Sequence, residues 1–71
     1  MTLIQFLSNL SMSEQDAYAE RCGTTGKYLR THIRPATRTP RRELLIALSA
    51  ESDGQVSHEE VLRHFGLMSA A

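Results

Sequence analysis

Gln15-Asp16-Ala17-Tyr18-Ala19-Glu20-Arg21-Cys22-Gly23-Thr24-Thr25-Gly26-Lys27-Tyr28-Leu29-Arg30 is the stretch from which the fold of this chain is read. Two short helices cross steeply only where little bulk lies between them. Ala19 supplies such a contact, because a larger side chain would push the helices apart. Gly23 stands four residues on and permits a tight turn without a Cβ clash. Leu29 follows six residues later and faces inward. Alanine, glycine and an apolar residue at this spacing are what a helix-turn-helix requires, so the motif is expected over about residues 15–34. Tyr18, Cys22, Leu29 and Ile33 would wedge the helix pair onto a core.

The flanks read as further helices. Leu3, Phe6, Leu7 and Leu10 recur at helical spacing, which predicts a first amphipathic helix over residues 2–10. A second begins at Ser11 or Ser13, and Ser11 with Glu14 forms a capping box. Gly23 follows its last turn. Thr24 and Thr25 both offer an N-cap, and Thr25 leaves a third helix from Gly26 to about Arg34, stopped by Pro35. Thr39-Pro40 reads as an N-cap with proline in the first helical position. From it a fourth helix runs to about Ser49, with Leu44, Leu45 and Leu48 inward. Asp53-Gly54 marks a turn. Ser57 with Glu60 makes a second capping box for a fifth helix, whose apolar side carries Val61, Leu62 and Phe65 and which Gly66 stops. No stretch alternates with a two-residue period. The expected fold is all-α: five short helices forming one lambda-repressor-like helix-turn-helix domain over residues 1–71.

Composition bounds the function. A chain of 71 residues allows one domain. Such a domain buries only about 60% of its unfolded surface, so dimerisation is expected to support it. The apolar fraction of 41% suffices for a core. No apolar run approaches the ~18 residues of a membrane span. MTLIQFLSNL has neither a basic leader region nor a small-residue cleavage site, and Cys22 is the lone cysteine. A cytoplasmic protein without disulfides is expected.

The formal net charge is zero, but its distribution is uneven. Arg21, Lys27, Arg30, Arg34, Arg38, Arg41 and Arg42 fall in one window that contains no Asp or Glu. A neutral total thus conceals a basic face that would steer a polyanion. After the Thr25 cap, Lys27, Arg30, Thr31 and Arg34 share one outward side of the third helix, where base edges are read in a major groove. Arg30 is the expected base reader, since arginine binds guanine O6 and N7 in a bidentate way. Lys27 is placed for a base or a phosphate. Arg38, in the loop after Pro35, is expected to meet only the phosphate rim. Tyr28 is placed either to touch a phosphate or to pack beneath the helix.

AERCGTTGKYLR, followed by RRELLIALSAESDGQVSHEEVLRHFG, resembles the Cro-like and YdaS-like regulators of phage and prophage. Glu43-Leu44, Gly54-Gln55-Val56-Ser57 and Glu59-Glu60-Val61-Leu62 occupy the matching places of the segment that those proteins pair with the motif. The resemblance spans nearly the whole chain. It implies a repressor of phage or prophage origin acting in a bacterial host. It also places Gln15 where a glutamine often touches phosphate at the start of the motif, and Gly26 where a base-contacting side chain often stands. There Gly26 either brings the backbone close to a phosphate or is a neutral first-turn residue. The family usually has a glycine just after the third helix; here the chain reads Ile33-Arg34-Pro35-Ala36-Thr37.

Other chemistries find less support in these residues. His32, His58 and His64 do not cluster with Cys22 at zinc spacing. Cys22 reads as a small buried apolar residue, and His32 as a half-buried core or rim residue. No nucleophile–base pair or phosphate loop is evident, and Glu59-Glu60 suits a helix N-terminus. No enzyme activity, cofactor, metal or small-molecule ligand is expected. RNA binding lacks the stacking aromatics it would use. The expected partners are double-stranded DNA, with contacts from Gln15, Thr25, Gly26, Lys27, Arg30, Thr31, Arg34 and Arg38, and a second copy of the chain meeting through helix five and Leu67-Met68. The competing reading is a protein-binding module that inhibits or recruits a host regulator through the same fold.

Overall fold

A computed structural model describes residues 1–67 of the chain. Among them the fold is all-α, with five helical elements and no strand. Helix α1 is Leu3–Ser8, α2 is Met12–Arg21, and α3 is Gly26–Tyr28, running directly into a π-helical turn over Leu29–Ile33. Helix α4 is Arg42–Ala50 and α5 is His58–His64.

The helix starts show why these segments are helical. Ser11 Oγ accepts the Glu14 N–H at 3.2 Å and the Glu14 carboxylate accepts the Ser11 N–H at 2.8 Å, completing the expected capping box. Thr25 Oγ1 accepts the Tyr28 N–H at 3.1 Å, so Thr25, not Thr24, is the cap of α3. Gly23 holds φ +85°, the left-handed conformation the tight turn demands.

Three boundaries and one cap differ from expectation, each for a physical reason. Helix α1 is shorter than residues 2–10, because Thr2 forms a capping box with Gln5 and the chain leaves the helix at Asn9. Thr39-Pro40 does not start α4. The Pro40 ring is buried ahead of the helix, Arg41 is the N-cap, and no side chain caps that end. At α5 only half the capping box forms: Ser57 Oγ accepts the Glu60 N–H, while the Glu60 carboxylate takes the Arg63 guanidinium at 3.0 Å. The third helix is not regular to Arg34. The Arg34 N–H bonds the Leu29 carbonyl five residues back at 2.8 Å. In a regular α-helix the ring of Pro35 would press on the Thr31 carbonyl, and a wider turn relieves that contact.

One core binds the elements. Leu3, Phe6 and Leu7 of α1 meet Tyr18, Ala19 and Cys22 of the second segment, Leu29 and Ile33, Leu45 and Leu48 of α4, and Val56 and Val61. The Phe6 and Tyr18 rings meet edge to face at 5.1 Å. Such pairs add about 0.5–1.5 kcal/mol beyond burial. The Tyr18 hydroxyl donates to the Leu48 carbonyl near the end of α4, satisfying a group that a helix terminus leaves free. After α4, the buried Ser52 hydroxyl donates to the Ser49 carbonyl at 2.7 Å and accepts the Val56 N–H at 3.0 Å. That exchange closes the turn in which Asp53 and Gly54 both hold positive φ. His64 Nε2 lies 2.6 Å from the Ile33 carbonyl and ties α5 to the end of the π-helical turn. No helix among the described residues is long and apolar enough to cross a membrane.

Candidate nucleic-acid interface

The α2–turn–α3 unit sets out the candidate face. Ala19 is wholly buried, and Leu29 and Ile33 anchor the inner side of α3 and its extension. Lys27, Thr31 and Arg34 stand exposed along the outer side, and Thr25 is exposed at its start. Tyr28 is half-buried, and its ring lies 5.0 Å from that of His32 at a tilt of 56°; His32 Nδ1 lies 2.9 Å from Thr37 Oγ1. Tyr28 and His32 therefore brace one flank of α3.

Beyond α3 the chain turns through Ala36, a non-glycine residue at φ +56°. Arg38, Arg41 and Arg42 follow, all exposed. Arg38 and Arg41 border an open groove of about 580 Å³ that Thr24, Tyr28, Thr39 and Glu43 also line. Its walls come from the α2–α3 turn and the start of α4. Because no side chain caps α4 at Arg41, the backbone donors of that first turn remain free of a side-chain partner.

Not every cation of the basic window is free. Arg21 Nε lies 3.5 Å from the Glu51 carboxylate, and its guanidinium lies over the Tyr18 ring at 5.9 Å. Arg30 Nη1 donates to Asp16 Oδ1 at 3.1 Å and to Gln15 Oε1 at 3.3 Å. Both acids lie outside the window in sequence and reach it by folding. Lys27, Arg34, Arg38, Arg41 and Arg42 have no acid partner among the described residues. All five are exposed.

Gln15 and Gly26 are occupied within the fold. Gln15 Nε2 donates to the Leu7 carbonyl at 3.0 Å, tying the end of α1 to α2, while its Oε1 takes Arg30. Gly26 is buried, and the group that approaches it is the Asp16 carboxylate, which a Cβ at residue 26 would strike. Asp16 is thus the residue that reasoning from sequence overlooked. The signal was present in Gly26: a glycine in the first turn of a helix, without positive φ, marks a close approach from elsewhere.

The titratable groups near this face are structural. Cys22 is 8% exposed with its thiol directed at the Ala47 carbonyl at 3.6 Å, and burial pushes the thiol up to about 11. Burial likewise raises the Tyr18 phenol far above its ordinary range. Bonds from the Ser11 backbone N–H and hydroxyl hold the Glu14 carboxyl below its ordinary value. Among the described residues no three His, Cys, Asp or Glu side chains gather as a metal site.

Comparison of the chain with models of protein families, with curated proteins and with solved structures gave no match in any of the three.

Proposed function

We propose that this protein is a sequence-specific, double-stranded DNA-binding transcriptional regulator. On this reading α2 and α3 form a helix-turn-helix of the lambda-repressor-like kind, with its motif over about residues 15–34. The outer side of α3 enters the major groove, where Lys27, Thr31 and Arg34 face base edges and phosphates. Arg38, Arg41 and Arg42 meet the flanking phosphates. The carrying observation is that Lys27, Thr31 and Arg34 on the outer side of α3 and its extension stand exposed, the two cations among them without acid partners, beside the three arginines that follow. The resemblance to Cro-like and YdaS-like proteins supports a repressor of phage or prophage origin that occupies a near-palindromic operator in the host cytoplasm. Two copies would place their α3 helices about one helical turn, roughly 34 Å, apart. Exposed Leu67 after α5 is available to such a dimer. Met68, its expected companion, lies outside the described residues.

Selection of bound fragments from a random duplex pool tests this reading, followed by titration of the selected duplex across salt concentrations. A phosphate-contacting protein loses affinity steeply as salt rises, by a logarithmic slope of about −0.9 per phosphate neutralised. Enrichment of a symmetric site with such a slope is the expected result. Failure to enrich any sequence refutes the reading.

A second reading has one specific observation in its favour. The Asp16 carboxylate, with a side chain 56% exposed, sits at the start of α3, where it repels a phosphate. A partner protein offering a cation there would find a carboxylate to pair with. Binding to a host regulator that survives high salt, without duplex binding, would favour it.

A further inference from the structure

We propose that Asp16 is a positioning residue for Arg30: it clamps one nitrogen of the guanidinium and leaves the rest of the group as a pre-oriented fork for a guanine edge. The inference rests on the DNA-binding reading. Three observations meet at this point. Arg30 Nη1 is held by both Asp16 and Gln15 on α2, while Nε and Nη2 have no hydrogen-bond partner among the described residues. The Arg30 side chain is 33% exposed, and no buried side-chain nitrogen among the described residues lacks a partner, so the unbonded Nε and Nη2 reach the surface. Gly26 is what lets the carboxylate descend, since a Cβ there would occupy the place of Asp16 Oδ1 and crowd Arg30 Nη1 at 3.1 Å.

The clamp has two consequences for recognition. A guanidinium offers five N–H donors in a rigid fork, and fixing one nitrogen fixes the plane of the rest. Guanine offers O6 and N7 side by side, so a fork already in plane meets them without an ordering step. The same carboxylate cancels the charge of Arg30 toward phosphates at large. Asp16 therefore suppresses indiscriminate backbone binding while favouring the one contact that needs geometry. Phosphate contacts position a protein and base contacts specify it. This pair moves Arg30 from the first role to the second.

Asp16→Asn and Gly26→Ala separate the two effects. Asparagine keeps the shape and removes the charge. Alanine keeps the charge and displaces the carboxylate. Gly26 lacks positive φ, so alanine in this helical turn is a better helix former and the fold survives. The first measurement uses the full chain without DNA: nitrogen-15 guanidinium NMR, with Arg30 assigned by Arg30→Lys. Separate, slowly exchanging Arg30 signals are expected in the wild type, collapsed ones in Gly26→Ala, and partly averaged ones in Asp16→Asn, whose amide oxygen still accepts from Nη1 but without the charge. Wild-type Arg30 signals as averaged as those of Arg38 overturn the clamp.

The second measurement compares affinity for the selected duplex with that for a scrambled one at a single salt concentration. Asp16→Asn should bind the scrambled duplex a few-fold more tightly and lose about tenfold in discrimination. Gly26→Ala should lose about the same discrimination with little change on the scrambled duplex. Wild-type discrimination in both variants overturns the positioning role. A clamp visible by NMR in a protein that binds no duplex overturns the DNA reading, and the role in discrimination falls with it.

Discussion

Removing one oxygen, in Tyr18→Phe, should lower the stability of this protein by about 2 kcal/mol. The ring itself keeps its place, wholly buried and edge-on to Phe6. The loss is the bond from the hydroxyl to the Leu48 carbonyl, which joins α2 to the last turn of α4. An ordinary intramolecular hydrogen bond contributes about 0.5–1.5 kcal/mol net, but a buried acceptor left without a donor costs about 1–3 kcal/mol. Leu48 is wholly buried, so water does not readily replace the phenol. At about 2.1 cal/mol/K per residue, 71 residues unfold with an entropy near ~0.15 kcal/mol/K, so each kcal/mol moves Tm by about 7 °C. The expected fall is therefore about 14 °C, a large part of the stability of a domain this small. Tyr28→Phe is the matched control, because the Tyr28 ring is half-buried and its hydroxyl has no hydrogen bond among the described residues. That variant should melt within about 3 °C of wild type, as substitutions away from buried networks do. Thermal melts followed by far-ultraviolet circular dichroism decide the matter. A Tyr18→Phe protein that melts with wild type would refute the reasoning, because water or backbone relaxation would then be satisfying Leu48.

Ala36→Gly should stabilise the fold by about 0.5–1 kcal/mol, because an L-residue in the left-handed region is strained by about 1–2 kcal/mol and glycine returns only part of that gain to the unfolded chain; a lower denaturation midpoint would contradict it. Burial of Cys22 makes iodoacetamide labelling slow in the native protein and fast in urea. Because its folded value of about 11 lies above the reference 9.0, the stability this thiol supports is intact below pH 9.0 and is lost as the pH rises toward 11; Cys22→Ala should remove the part of the loss that begins near pH 9.0, leaving that of the buried Tyr18 phenol above pH 10.0. Glu14 titrates in the opposite sense. Its depressed carboxyl supports the α2 cap above its unfolded value of about 4.5, and that support vanishes as the pH falls through the lower folded value, so Glu14→Gln should flatten the acid limb of the stability profile. Arg38→Ala should weaken selected and scrambled duplexes equally and reduce the salt slope by about one phosphate per subunit; an effect on the selected duplex alone would place Arg38 at a base.

The parts of the fold that were legible in advance are those governed by neighbours in the chain. Ser11 with Glu14 and Thr25 with the Tyr28 N–H are contacts over three residues, and hydroxyl chemistry alone announces them. Gly23 needed only the rule that a tight turn favours positive φ. The inward set Tyr18, Ala19, Leu29 and Ile33 followed from spacing. What escaped depends on partners distant in sequence. Nothing local tells that Asp16 will reach across to Arg30, since the approach requires a helix crossing and a missing Cβ together. Thr39-Pro40 carried a plausible start signal, yet burying the Pro40 ring outweighed a cap the chain could do without. The widened turn before Pro35 escaped because its only buried residues, Leu29 and Ile33, are four apart and share a face in either geometry.

That widened turn bears on how the chain tolerates changes in length. A bond spanning five residues from Leu29 to Arg34 encloses one residue more than an α-helix needs. Deleting exposed Thr31 would leave the Leu29 carbonyl four residues from the next N–H, which is the ordinary helical distance. Leu29 and Ile33 would then be three apart and still share a face. Such a loss would also return the Pro35 ring to the carbonyl four residues before it, so a lineage carrying this fold can lose a residue here without unseating the core only if Pro35 is replaced as well, whereas the same loss inside α2 would rotate Tyr18 and Ala19 away from it. The site of such a deletion is also the outer side of α3, so an insertion or deletion at this point would re-aim Arg34 relative to Lys27 in one step, a change that point substitutions could not make.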